Sequence, residues 1–96
     1  MSKTITRVRW VPEIVVEVVS ESSRKRDYNE KPDEYLRFGV KEYWIIDGEI
    51  RVMTVLRRSR GRWSETKVGP PDFHRTRLLP GLALPIESVF RAAGLT

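Results

Sequence analysis

Residues 4–10 alternate, with Thr6, Val8 and Trp10 on one side and Ile5, Arg7 and Arg9 on the other, which predicts a half-exposed strand. Pro12 interrupts it. Residues 13–19 predict a second strand, apolar on both faces except at Glu17 and therefore central in a sheet. Ser20, Ser22 and Ser23 with Arg24, Lys25 and Arg26 make a polar turn whose serines can cap a following helix. A helix is predicted within 24–38. Pro32 lacks a donor and disfavours a straight run through its centre. The regular segment is therefore expected from near Glu30 to Gly39, a good terminating residue, with Tyr35, Leu36 and Phe38 on the buried side.

The next apolar run, 42–47, predicts a strand that ends in the tight-turn pair Asp47-Gly48. Residues 49–57 are its expected hairpin partner, with Ile50, Val52, Thr54 and Leu56 alternating. Ser59 to Arg62 form another turn, and Trp63–Val68 a third meander strand. Gly69-Pro70-Pro71 breaks regular structure, and Leu78–Leu82 reads as a turn or short strand. Residues 86–92 predict a short terminal helix with Ile86, Val89 and Phe90 on one face. The fold class is α/β (α+β): a mixed sheet with one main helix and a short C-terminal helix. The 96 residues fit a single domain, 1–96, and leave little room for a second core.

Composition narrows the chemistry. There is no cysteine, so disulfides, thiolate metal sites and cysteine nucleophiles are excluded. No apolar run approaches the roughly 20 residues that span a bilayer, and no signal-peptide pattern opens the chain, so a non-membrane, cytoplasmic protein is expected. The net charge is +5, carried by thirteen Arg and five Lys. Arginine suits bidentate contact with phosphate, and a basic balance is compatible with DNA. The absence of Gln, the single Asn and the charged share lean toward a thermophilic source.

Glu17 is the first candidate for chemistry, because a carboxylate in an apolar strand is costly unless a metal, a cation or solvent compensates it. Glu13 shares its face, but lies about 13 Å away along the strand at roughly 3.3 Å per residue. The two cannot ligate one ion, and a magnesium site needs another acid from a neighbouring strand. The alternative is an ion pair inside a partly buried network. Asp27 and Lys31 stand four apart and share a face if the turn between them is helical. An isolated pair of this kind is ordinarily a surface ion pair; here Lys31 could also reach Glu17 and neutralise charge on a phosphate or an attacking hydroxide. The serines have no companion histidine, which argues against a serine hydrolase. His74 reads as a loop or surface residue, and Trp10, Trp44 and Trp63 as core or interface. The cationic runs Arg24, Lys25, Arg26 and Arg57, Arg58, Arg60, Arg62 are solvated turns or, in the sharper reading, contacts to a nucleic-acid backbone.

The ordered series Val16-Glu17-Val18-Val19-Ser20-Glu21-Ser22-Ser23, Asp27, Lys31, Tyr35, Gly39 to Asp47 and Leu79-Pro80-Gly81 resembles the Uma family of restriction-endonuclease-like proteins, within the PD-(D/E)XK nuclease superfamily. The resemblance runs from about Pro12 to Phe90 and covers the family's C-terminal half only. It implies a metal-ligand role for Glu17, a catalytic lysine moved from the Val19 position to Lys31, and supporting roles for Asp27 and Ser20. It also implies Mg2+ and a second acid ligand from an earlier strand. Here eleven residues precede Pro12 and none is acidic. The expectation is a truncated fold that is inactive, or that depends on a partner chain, for magnesium-assisted phosphodiester hydrolysis. A non-catalytic module is the alternative: a homodimer joined at the strand edge left open, binding nucleic acid or assembling with protein.

Overall fold

A computed structural model describes residues 10–95, so the strand expected over 4–10 lies outside the described residues except for Trp10. The elements are β1 (Ile14–Val18), a π-helical turn (Arg26–Glu30), α1 (Lys31–Phe38), β2 (Glu42–Asp47), β3 (Val52–Ser59), β4 (Arg62–Val68), β5 (Phe73–Arg75), β6 (Ala83–Pro85) and α2 (Ile86–Ala92). β1 to β4 form one mixed sheet in chain order, β1 parallel to β2 and the rest antiparallel. The parallel pairing follows from the helical crossover between β1 and β2. β5 and β6 form a separate antiparallel pair that leads into α2.

Every residue of β2 is buried, because the sheet is covered on both faces. Tyr43, Ile45 and Leu56 pack toward α1 with Val15, Val19, Tyr28, Tyr35 and Trp63. Trp44, Ile46, Met53 and Val55 pack on the other face against Ile86 and Phe90 of α2. The period of two along β2 thus feeds two small cores, one per face. Among the described residues no helix is long and apolar enough to cross a membrane.

Several expectations need correction. The turn after β2 takes Gly48 to Arg51, so β3 starts at Val52 and runs to Ser59, and Ile50 is exposed in the turn. Among the described residues β1 is an edge strand, with β2 alone as strand neighbour. It reads as apolar on both sides because Val15 packs beneath α1 and Ile14 beneath α2, while Val16 and Val18 stay exposed. Phe38 and Trp10 are exposed rather than core residues. His74 is buried: β5, hidden in the sequence behind a proline pair, carries it under the sheet at 5% exposure.

The helical crossover shows how Pro32 is accommodated. A proline ring would crowd the carbonyl four residues back. Before Pro32 the helix widens, and the Lys31 N–H bonds to the Arg26 carbonyl five residues back. Pro32 itself is buried, and its carbonyl accepts a hydrogen bond from Trp63 Nε1 at 2.8 Å. α1 ends at Gly39, whose φ of 95° is left-handed and free of cost only for glycine.

Candidate active site

β1 and the crossover helix bring Glu17, Asp27 and Lys31 together. Asp27, Lys31 and Tyr35 recur every four residues and form one stripe facing β1. Lys31 Nζ lies 2.8 Å from Asp27 Oδ1 and 3.1 Å from Glu17 Oε2. Tyr35 Oη donates to the same Glu17 Oε2 at 2.7 Å. Among the described residues no hydrogen bond goes to Glu17 Oε1, the oxygen left for another partner.

Asp27 is 1% exposed, so the pair with Lys31 is not the surface contact that its spacing alone suggests. Ser23 Oγ donates to Asp27 Oδ2 at 2.6 Å, and Tyr43 Oη to the Asp27 carbonyl at 2.8 Å. Ser20 and Ser23 bond reciprocally: the Ser20 N–H donates to Ser23 Oγ at 2.9 Å and the Ser23 N–H to Ser20 Oγ at 3.2 Å. This closes the helix start in the manner of a capping box. Ser20 thus acts on the backbone, and Ser23 carries the chain of contacts on to Asp27.

Hydrogen bonding to Asp27, more than burial opposes it, raises the Lys31 pKa, with Glu17 adding to the effect. Lys31 therefore remains an ammonium and serves as a fixed positive charge rather than a base. Burial, and then the Glu17 carboxylate, push Tyr35 up to about 12, so it remains a hydrogen-bond donor.

Asp47 is the nearby acid that spacing arguments missed. It lies on the same sheet face as Glu17, two residues beyond Ile45, the β2 partner of Glu17. That places the two backbone positions roughly 8 Å apart. Its carboxylate is fully used: Arg24 donates to both oxygens at 2.7 and 3.0 Å, and Tyr28 Oη to Oδ2 at 2.7 Å. Among the described residues no group of three or more His, Asp or Glu is placed to hold a metal ion. One free carboxylate oxygen does not fit a divalent cation by itself. Glu13 is diverted as its spacing requires, pairing with Lys41 at 3.0 Å.

The basic residues separate into engaged and free. Arg24 is bound to Asp47 and Glu49, and Arg26 to Glu30 and Glu34. Arg58 donates to the carbonyls of Val40 and Leu36 and lies over Trp63. Arg57 contacts Glu42 at 3.4 Å. Lys25, Arg60 and Arg62 are exposed and form no ion pair among the described residues. A second buried cluster, which no sequence signal announced, surrounds Glu42. Trp44 Nε1 donates to it at 2.9 Å, Thr76 Oγ1 bonds it, and His74 Nε2 lies 3.5 Å away. Burial pushes the Glu42 pKa up, but the hydrogen bonds from Thr76 and Trp44, with Arg57, outweigh it and lower the value.

The mixed sheet and its helical crossover thus hold a lysine against a strand carboxylate. The chain belongs to the Uma2 family, described as "Putative restriction endonuclease", whose model matches residues 3–87. Among solved structures, its fold matches a "putative nuclease belonging to DUF820" from Anabaena variabilis, with a TM-score of 0.66 at 18% identity. That match covers 82% of this chain and 44% of the other, so the chain spans less than half the length of that protein. The curated proteins yield no match.

Proposed function

We propose that this chain contributes one half of a phosphodiester-hydrolysing centre and is inactive alone. The observation that carries this reading is the convergence of Lys31 and Tyr35 on Glu17 Oε2, which leaves Oε1 without a hydrogen-bond partner among the described residues. Lys31 supplies a fixed charge for the phosphate or for the attacking hydroxide. In the reaction, the water oxygen bonds to phosphorus, the bond to the leaving oxygen breaks, and that oxygen takes up a proton. Magnesium would need a second carboxylate beside Glu17, and a partner chain's strand laid along the side of β1 that no described strand covers would supply it. DNA is the substrate class that the family description supports.

The purified chain is expected to leave supercoiled plasmid intact in millimolar magnesium or manganese, and to show no saturable metal binding by calorimetry. Tagged chain recovered from its native cells is expected to carry a metal-dependent nicking activity that Glu17→Ala and Lys31→Ala both abolish. Nicking that survives both substitutions refutes the assignment. Autonomous nicking lost in Glu17→Ala refutes the incompleteness.

The exposed Val16 and Val18 on the edge strand support a second reading: a homodimer paired through β1 that binds without cutting. Sedimentation at micromolar concentration showing a strict monomer refutes that reading.

A further inference from the structure

The strongest unassigned feature lies away from Glu17. Two adjoining hollows of about 710 and 340 Å3 open where β2 begins and β3 ends, and both are lined by Arg57 and Arg77. Arg75 completes the cationic lining of the larger, and Lys41, Arg58 and Arg60 that of the smaller. Glu42 is the one acid that lines either hollow. Arg60, Arg75 and Arg77 are exposed and form no ion pair among the described residues. Glu42 pairs with Ile14 and Glu17 with Ile45, so the two sites are separated by about three residues of strand, roughly 10 Å. Their side chains also leave opposite faces of the sheet.

The floor of the larger hollow is rigidly built. Thr76 is tied to the buried Glu42, and the Leu78 N–H donates back to Thr76 Oγ1 at 3.2 Å. This fixes the path of the loop on which Arg75 and Arg77 stand. Leu79 and Leu82, both partly exposed, add apolar patches between the cations.

We propose that these hollows form a cradle for a phosphodiester backbone, separate from the Glu17 centre. Of the six cations, Arg60, Arg75 and Arg77 have their planar forks free to match phosphate oxygens, while Lys41, Arg57 and Arg58 already hold partners and add only to the positive field. A single small anion would occupy one hollow and leave the other empty. A nucleic-acid strand carries a charge at every residue and spans both, with its sugars against Leu79 and Leu82. An acidic peptide meets arginine as well, but seldom offers so regular a series of charges.

The test is fluorescence anisotropy with a short labelled DNA duplex, in EDTA so that cleavage plays no part. Arg75→Ala/Arg77→Ala is expected to weaken binding about tenfold or more near ~0.1 M salt and to reduce the salt slope by about two. Arg75→Lys/Arg77→Lys is expected to keep most of that slope, and circular dichroism to show the fold unchanged in both. Arg91→Ala, at an exposed arginine of α2 that lines neither hollow, is expected to bind like the parent. Binding in EDTA is read apart from cleavage, so failure of the nuclease reading leaves this result intact. Unchanged affinity in the Arg75→Ala/Arg77→Ala variant overturns the proposal, as does equal weakening by Arg91→Ala. Displacement by polyglutamate as readily as by an oligonucleotide of equal charge overturns it in favour of an acidic protein partner.

Discussion

Replacing Lys31 with Met tests whether the charge relay between β1 and the crossover helix holds the fold together. The substitution keeps the length of the side chain and removes its charge, leaving two carboxylates facing each other. Breaking a buried pair by removing one partner costs ~3–5 kcal/mol. Lys31 and Glu17 keep 18% and 27% of their side chains in solvent, so part of that loss is screened. Ser23 still donates to Asp27, which leaves an expected loss of about 2 kcal/mol. For a domain of this size that lowers Tm by roughly 8–16 °C. Urea unfolding at neutral pH measures it directly. The companion variant, Lys31→Met/Asp27→Asn, removes the stranded buried charge and is expected to recover at least ~1 kcal/mol. A loss under ~0.5 kcal/mol for Lys31→Met, or losses that simply add in the double variant, would show that Asp27 is compensated by other groups and refute the reasoning.

Hydrogen bonds from Arg24, and then Tyr28, outweigh burial and hold the Asp47 carboxyl at about 2, below its ordinary 3.8. The folded value lies below the unfolded one, so this stabilisation of about 2 kcal/mol is complete above about pH 4 and lost as pH falls through 2. The urea midpoints of the parent and Asp47→Asn are therefore expected to differ at neutral pH and to converge in acid. Gly39→Ala places a Cβ where nothing lies within 4 Å, so its whole effect is the left-handed backbone, about 1 kcal/mol by thermal melting.

The strand around Glu17 and the meeting of Asp27 with Lys31 were legible because both depend on short periodicities, two in a strand and four in a helix. Their burial was not legible. Asp27 is hidden by Ser23, Tyr43 and the core beneath α1, and that arrangement depends on how β2 returns alongside β1. Arg24 and Asp47 are 23 residues apart and meet only through the same parallel return. His74 was misread because three residues of strand after a proline pair give no usable pattern, and its cover comes from Trp44 and Glu42 of β2. Trp10 is not a core residue: aromatic character predicts burial on average, but here the ring is 80% exposed and lines an open hollow with Val15, Tyr35 and Phe38.

A stripe of residues every four positions does not run straight down an ordinary helix. Each residue turns the helix by roughly 100°, so every fourth one overshoots by roughly 40°. Asp27, Lys31 and Tyr35 would fan out across roughly 80°, while the strand they face is nearly straight. The π turn between Asp27 and Lys31 winds more slowly, roughly 80° per residue, so its step undershoots by about as much as the next overshoots. Asp27 and Tyr35 therefore stand on nearly one bearing, with Lys31 offset between them. The wide turn acts as a phase correction, and Pro32 holds the correction in place.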